Sequence, residues 1–226
     1  MGKYTWLIEP GHGGIIDGQY QTSTKWRKRS YFKNGELLNP KKHNLEWLEA
    51  NNDLKYYEGV GNRGIARHLM NLMEKHKVRY YDVTDGSQLD LSLKYRVDKA
   101  NEYYRTDKTC IYLSIHSDAF NVESAQGFSV YTSPDPTNSD KIAPHIFKEM
   151  AIEFADHKPR ADYTDGDPDK EANFYVLTNT AMPAVLSENL FYTNFRECQI
   201  LLSEEGQQRI AEAHFRGIMF IEKNGY

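Results

Sequence analysis

Short apolar runs alternate along this chain with longer segments of helical periodicity, and this alternation constrains the fold more than any other feature. The short runs are bounded by turn residues and have the length of buried strands: 4–8, 78–83, 110–115, 128–131 and 184–186. The longer segments repeat apolar residues every four positions, as Ile65, Leu69 and Met73 do, and similar spacing recurs at 91–104, 142–154 and 209–222. Strands that alternate with helices predict an α/β fold with a largely parallel or mixed central sheet.

The length and charge of the chain favour one globular domain. Its 226 residues carry 28 Lys+Arg against 32 Asp+Glu, a net charge of −4 with histidine neutral, and they contain neither a repeat nor a Pro- or Ser-rich linker. We therefore expect a single domain over residues 1–226. No apolar run approaches the ~20 residues that span a bilayer, so no membrane insertion is expected. The N-terminus lacks a charged and then apolar leader, which predicts synthesis in the cytoplasm without a signal peptide.

Two polar segments lack sustained periodicity. Residues 15–57 are rich in Lys and Asn, and a structureless stretch of that length is commonly a lid or a binding loop. Residues 157–173 are also loop-like. We expect both segments to form walls of a substrate groove, the first as a long loop or lid inserted into the domain.

Two histidines follow strand-like runs and are surrounded by small residues. His12 lies in the sequence EPGHGG, where glycines leave room around the imidazole, and His116 lies in SIHSD after the run 110–115. In open α/β sheets, ligands bind beyond the strand ends. A lone histidine is more often a surface or core residue. Two in equivalent positions favour a metal site, because neutral imidazole is the commonest metal ligand.

Two glutamates complete the candidate site. Glu58 precedes Ile65 by seven residues and so lies on the apolar face of a predicted helix, where a carboxylate is costly unless it is paired. The helix N-terminus could satisfy it in part, and a metal would satisfy it better. Glu188 follows the apolar run 184–186, where most glutamates are surface residues. Two histidines and one carboxylate with an open fourth position make a catalytic zinc site, and a further carboxylate supplies a general base.

At these positions the sequence resembles the zinc-dependent N-acetylmuramoyl-L-alanine amidases of the amidase-3 type. The resemblance covers nearly the whole chain outside residues 15–57, and it rests on several ordered motifs at matching intervals. These motifs are PGHGG at 10–14, Glu58 with Asn62 and Ala66, Arg96 with Ala100 and Asn101, SIH at 114–116, Gly127 with Phe128, and PAVLSE at 183–188 followed by Phe191 and Asn194.

The resemblance implies a twisted mixed sheet, largely parallel, with helices on both faces and the site in a groove on one side. It implies Zn2+ held by His12, Glu58 and His116, with Glu188 as the catalytic carboxylate. The implied reaction is hydrolysis of the amide bond between the lactyl group of N-acetylmuramic acid and the L-Ala of the peptidoglycan stem peptide. Zinc-activated water would attack the carbonyl, and Glu188 would take a proton from that water and return one to the leaving nitrogen.

Three features depart from the family pattern. Glu9 stands where the family usually has Asp, and the extra methylene is expected to alter a contact behind the metal ligands. Asp85 follows Thr84 where the family typically has Arg. Segment 15–57 is longer than the usual connection in the family.

Other functions remain compatible with the same residues. A zinc carboxypeptidase or endopeptidase acting on the stem peptide would use a similar ligand set, whereas a non-catalytic wall-binding module would have no use for Glu188. The compact chain resembles a phage or prophage endolysin, which acts at the cell wall after release or non-classical export, and a monomer is expected. The basic run 25–29 suggests nucleic-acid binding, but the net charge of −4 argues against it. A solvated loop or a contact with anionic wall polymers is favoured there.

The remaining polar positions in the motifs have more ordinary interpretations. Arg96, Asn101 and Asn194 are expected to be structural, because buried Arg and Asn mostly satisfy backbone groups in turns. Ser117 and Asp118 are expected to orient His116 or to line the groove. Phe128 and Tyr131 are expected to belong to the core or to the groove wall.

Overall fold

The computed structural model describes residues 2–22, 28–39, 41–134 and 136–226. Its strands are β1 (Thr5–Pro10), β2 (Ile15–Ile16), β3 (Gln19–Tyr20), β4 (Arg29–Lys33), β5 (Glu36–Leu37), β6 (Leu54–Tyr57), β7 (Arg79–Asp82), β8 (Cys110–Asp118), β9 (Ser129–Thr132), β10 (Lys170–Glu171) and β11 (Ala184–Phe191). Its α-helices are α1 (Leu45–Ala50), α2 (Glu58–Lys75), α3 (Leu93–Thr106), α4 (Ala143–Glu153), α5 (Tyr175–Thr178), α6 (Phe195–Leu202) and α7 (Glu204–Asn224).

Six of the strands form a central mixed sheet in the order β10-β9-β11-β8-β1-β7. β1 runs parallel to both β7 and β8, and β8 runs parallel to β11. β9 and β10 run opposite to the other four strands, because β9 lies antiparallel to β11 and β10 runs parallel to β9. The predicted α/β fold with a largely parallel central sheet is confirmed.

Helices cover both faces of this sheet. Helices α2, α4 and α7 pack on the face that buries Trp6 and Ile8 of β1. Helices α3 and α5 cover the opposite face, where Leu7 of β1 packs with Val97 and Val176. Every residue of β1 is therefore buried. This two-sided burial is why the central strands read as continuous apolar runs rather than as alternating patterns.

Residues 15–57, expected to form a long loop or lid, instead carry most of the smaller secondary structure. β2 and β3 pair as a hairpin. β4 pairs antiparallel with β5 and with β6, so that Arg29 lies opposite Tyr57. Phe32 and Leu48 have no exposed surface, and Phe32 belongs to the main core cluster, which anchors this small sheet to the domain. The expectation of a structureless segment is wrong, whereas a role as a lid stays a prediction.

The segment 157–173 is loop-like, as expected, whereas its role as a groove wall stays a prediction. It contains the two-residue strand β10 and is otherwise without helix or strand. Asp85, one of the departures from the family pattern, lies after β7 and its carboxylate is 3.0 Å from Lys99 Nζ. No helix among the described residues is long and apolar enough to cross a membrane.

Candidate active site

Parallel pairing of β1 with β8 brings the two predicted histidines together. The amide of Gly11 donates to the carbonyl of Ile115 at 2.9 Å, which continues the pairing past the end of β1. A Cβ atom at Gly11 would overlap the His116 ring, so only glycine lets the chain pass this imidazole. His12 follows with φ of 65°, in the left-handed region, and this turn aims its side chain back toward His116.

The third predicted ligand, Glu58, is delivered by the start of helix α2. Its amide donates to the carbonyl of Lys28 at 2.9 Å, which ties the helix to the strand β4 region. A Cβ atom at Gly59 would overlap the carbonyl of Gly13, so glycine permits the close approach of the helix to the loop after β1. The Glu58 side chain is fully buried, as its place on the apolar face of the helix predicts.

The three side chains converge on one point. Glu58 Oε1 lies 3.2 Å from His12 Nε2 and 3.0 Å from His116 Nδ1. One ligand atom from each of the three residues lies within 4.8 Å of the others. His12 Nε2 is buried and finds no hydrogen-bond partner in the described part of the chain. Two imidazole nitrogens and a carboxylate oxygen that converge on one point fit the donor set of a catalytic zinc ion.

Electrostatics favour the protonation states that a metal needs. Burial alone would raise the pKa of Glu58, but the charges of His12 and Lys28 and the hydrogen bonds from both histidines hold it well below 4.5. Burial lowers the pKa of His12 below 6.5, because a desolvated imidazolium is disfavoured. A carboxylate and a neutral imidazole are the forms that bind metal ions.

A buried ion pair lies behind these ligands. Glu9 and Arg96 are each 1% exposed and form a direct ion pair, and Ser114 Oγ also donates to the Glu9 carboxylate. Arg96 further donates to the carbonyl of His12 at 3.0 Å. The second oxygen of Glu9 lies 3.9 Å from His116 Nε2. The pair therefore supports both histidines, and the departure at Glu9 is accommodated by contact with Arg96.

Glu188 lies beside the three ligands on the neighbouring strand. It is in register with His116 across the parallel pair β8 and β11, and registered residues of adjacent strands project from the same face of a sheet. The strand is irregular directly after Glu188, between it and Phe191. The buried Glu197 carboxylate fixes this irregularity by accepting from the Phe191 amide at 2.7 Å.

Glu188 faces a groove of about 660 Å³ whose walls include residues of the segment 15–57. Its lining includes Lys28, Ser117, Asp118, Phe120, Glu188 and Tyr192. Burial raises the pKa of Glu188 well above 4.5, the charges of Glu58 and Asp118 raise it further, and Lys28 opposes them. Its Oε2 atom is buried and has no hydrogen-bond partner among the residues described. The groove thus presents a carboxyl group suited to both accepting and donating a proton.

The structure assigns contacts to the other predicted residues. Asn101 binds the Ala181 amide and the Asn179 carbonyl at 2.8 and 3.0 Å, and Asn194 caps helix α6. Together with Arg96, these confirm the predicted structural roles.

Some residues near the groove support the loop after β1 through hydrogen bonds, and others line the groove itself. Ser117 Oγ donates to Asn62 at 3.1 Å, and Asn62 in turn donates to the Gly11 carbonyl. Asp118 lines the groove. Phe128 is a core residue and Tyr131 is half-buried.

Lys28 lies at the site but is not predicted from the sequence. Its ammonium lies 3.2 Å from Glu58 Oε2. Residues 25–27 of the basic run lie outside the described part of the chain. Arg29 stacks over the Tyr20 ring at 5.1 Å. The expectation of a solvated loop is therefore wrong for Lys28 and Arg29, and the sequence offered no signal that would pair Lys28 with Glu58.

Comparisons with known proteins agree with this geometry. A family model, Amidase_3, described as N-acetylmuramoyl-L-alanine amidase, matches residues 7–219. The amidase CwlM of Bacillus licheniformis is 32% identical over 132 residues, which are 58% of this chain and 47% of that protein. The endolysin of Bacillus phage SPP1 is 28% identical over 183 residues, which are 77% of this chain and 64% of that protein. The chain spans about half the length of the first curated relatives that it matches.

Solved structures share the whole fold. An N-acetylmuramoyl-L-alanine amidase from Clostridium difficile 630 matches with a TM-score of 0.72 and 25% identity, and the match covers 100% of both chains. The amidase Ami1 from Mycobacterium smegmatis matches with a TM-score of 0.69 and 20% identity over 98% of this chain and 97% of that chain.

Proposed function

Because the chain belongs to the Amidase_3 family of N-acetylmuramoyl-L-alanine amidases, we propose that it hydrolyses the amide bond between N-acetylmuramic acid and the L-Ala of the stem peptide in peptidoglycan. In this proposal His12, Glu58 and His116 hold Zn2+ and Glu188 transfers protons. The observation that carries the proposal is the convergence of three ligand atoms within 4.8 Å, with Glu188 in register beside His116.

The roles of the protein groups follow from their surroundings. His12, Glu58 and His116 would hold the metal, which supplies Lewis acidity that polarises an amide carbonyl and acidifies water. Glu188 Oε2, buried and without a partner among the described atoms, takes a proton from the attacking water and passes one to the leaving amine nitrogen. Lys28 lies against Glu58 and lines the groove, and its positive charge would stabilise negative charge that develops on a bound amide oxygen.

The surroundings support a peptide-and-sugar substrate at the cell wall. The groove beside Glu188 is lined by residues of the central sheet and by residues of the segment 15–57. Its lining includes both polar side chains and aromatic rings. Mixed polar and apolar walls suit a glycan with an attached peptide. The similarity to a phage endolysin supports action at the wall in lysis, and we include this role in the proposal.

The test is mass spectrometry of the products that the zinc-loaded chain releases from defined muropeptides, with and without a chelator. We expect a free lactyl carboxylate and a new L-Ala amine, and loss of both on chelation. New termini within the stem peptide would indicate a peptidase instead. Intact muropeptide in the presence of bound zinc would indicate a binding module.

Variants distinguish the proposed proton-transfer residue from the proposed zinc ligands. Glu188→Gln keeps its shape and should retain zinc while turnover falls by about 100-fold or more. His116→Ala should lower the zinc content itself. Asp98→Asn, which changes an exposed carboxylate on α3 in the same chemical way, is the matched control and should behave as wild type. Near-normal hydrolysis by Glu188→Gln would contradict the proton-transfer role, and full zinc occupancy in His116→Ala would contradict the ligand assignment.

A further inference from the structure

A second group of acidic side chains lies outside the active site, in the segment before helix α5. Acidic residues occupy every second position, at Asp165, Asp167, Asp169 and Glu171. Asp165, Asp167 and Glu171 each place one carboxylate oxygen within 4.8 Å of the others. Glu171 is held in place by β10, which pairs with Thr132 of β9. Oxygen ligands surround Ca2+ at about 2.3–2.6 Å, so ligands on opposite sides of one ion lie about 5 Å apart. The three oxygens therefore have the spacing of ligands that share a single cation.

A buried carboxylate lies beside Asp167 of this group. Asp169 has no exposed surface, and one of its oxygens accepts from Thr132 Oγ1 at 2.7 Å. Its other oxygen, Oδ1, and Asp167 Oδ1 are both buried and find no hydrogen-bond partner among the described residues. The two carboxyl groups lie within hydrogen-bond reach of each other. Two acceptor-only oxygens side by side in a buried position require either a proton or a cation between them.

The pKa shifts within the group arise from burial and from neighbouring carboxylates rather than from a paired cation. Burial and the neighbouring Asp167 raise the pKa of Asp169 to about 8, and the charge of Asp140 raises it further. Burial raises the pKa of Glu171 as well, and Asp165 and Asp167 add to the effect. Like charges that face one another in this way favour the binding of a positive ion over the ion-free form.

We propose that residues 165–171 form a second metal site, which binds Ca2+ through the carboxylates of Asp165, Asp167 and Glu171 and is closed on its buried side by Asp169. All four donors are oxygens, which favours a hard cation over zinc. They lie on a loop rather than on helices, and Ca2+ tolerates the irregular geometry that such a loop provides, whereas Mg2+ demands a near-ideal octahedron. The site differs from the His12, Glu58 and His116 cluster in donor chemistry, and it stands whether or not the proposed amidase reaction is correct.

The position of the site gives the cation a structural role. Asp169 binds Thr132 at the end of β9, and β9 is the strand that pairs with β11 beside Glu188. Lys170, between Asp169 and Glu171, acts electrostatically on Asp118 of the groove. A cation at 165–171 would therefore fix the segment 157–173 against the sheet edge that lies next to the groove.

Terbium luminescence tests the proposal on the zinc-loaded full chain, because Tb3+ is a luminescent substitute for Ca2+ and Tyr163 lies two residues before Asp165 to sensitise it. We expect saturable emission that corresponds to one ion per chain and is displaced by Ca2+ more readily than by Mg2+. Asp165→Asn with Asp167→Asn should weaken terbium binding by about tenfold or more. Asp98→Asn with Glu102→Gln, which removes the same charge from exposed positions on α3, should bind terbium as wild type does.

Thermal unfolding gives a second measurement. Added Ca2+ should raise the unfolding midpoint of the wild type and of the α3 control, but not that of the double variant at 165 and 167. If the double variant does not fold, the exposed single variants Asp165→Asn and Glu171→Gln replace it. The proposal is overturned if no saturable emission is seen, if the variants and the control respond alike, or if Ca2+ leaves every midpoint unchanged. In that case the Asp167 and Asp169 carboxyls share a proton.

Discussion

The ion pair behind the metal ligands should control both stability and metal affinity, and Glu9→Gln tests this. The substitution keeps the shape of the side chain and removes its charge. Arg96 then remains in a site where only 1% of its surface is exposed, without the carboxylate that neutralises it. The contact between Glu9 and His116 at 3.9 Å also loses its negative charge.

The magnitude follows from burial. Removing one partner of a buried ion pair typically costs about 3–5 kcal/mol, because the other charge is left desolvated. Arg96 keeps its hydrogen bonds to the carbonyls of Pro10 and His12 at 2.8 and 3.0 Å, so we expect the lower end of that range. Loss of a group behind a metal-binding histidine commonly lowers metal affinity by about 10–100-fold.

The assay is urea unfolding of the zinc-free protein, together with a zinc-binding titration of the folded variant. Asp98→Asn is the matched control, since it makes the same chemical change in an exposed i,i+4 pair with Lys94 and should leave both measurements unchanged. Equal stabilities for the two variants would refute the argument from burial. Unchanged zinc affinity in Glu9→Gln would show that the ion pair does not support metal binding.

Three further outcomes are expected. His214 is fully buried on α7, and burial lowers its pKa from 6.5 to about 4. Its contribution to stability is therefore present above about pH 6.5 and falls by about 3 kcal/mol toward pH 4. His214→Leu should remove this pH dependence in unfolding curves taken across that range, and an unchanged slope would contradict it. Gly59→Ala should lower stability by about 1–3 kcal/mol and reduce zinc content, because the added Cβ meets the Gly13 carbonyl; wild-type zinc content would argue against that contact. Asn101→Ala should lower stability by about 0.5–1.5 kcal/mol with kcat/KM on muropeptides unchanged, and a loss of turnover without a loss of stability would show that its role is not structural.

The central fold and the ligand cluster were predictable because local patterns encode them. Burial of β1 and β8 on both faces produces continuous apolar runs in the sequence. The seven-residue spacing from Glu58 to Ile65 is enough to place the carboxylate on the inner face of α2. The glycines around His12 indicate a crowded turn, and the structure places the His116 ring against one of them.

What the sequence did not reveal depends on contacts between distant parts of the chain. β4 and β6 are five and four residues long, and neither carries enough periodicity to be recognised without its partner. The proximity of Lys28 to Glu58 exists only because these two strands pair. Likewise, Glu197 holds the amides of Gly127 and Phe191 at 2.8 and 2.7 Å, and nothing in its local sequence specifies partners that far away.

The pairing of β4 with β6 allows the length of the segment between these strands to change without moving the rest of the domain. Arg29 lies opposite Tyr57, and the Glu58 amide donates to the Lys28 carbonyl. The two ends of the segment 28–58 therefore lie next to each other. Closing such a loop costs little more when the loop is lengthened, since the cost grows only with the logarithm of its length. Insertions and deletions near the tip, between 34 and 53, can therefore reshape the rim of the groove while the ligands stay fixed. Changes in the segment 28–58 can therefore adapt the groove to cell walls of different chemistry while the rest of the domain stays the same.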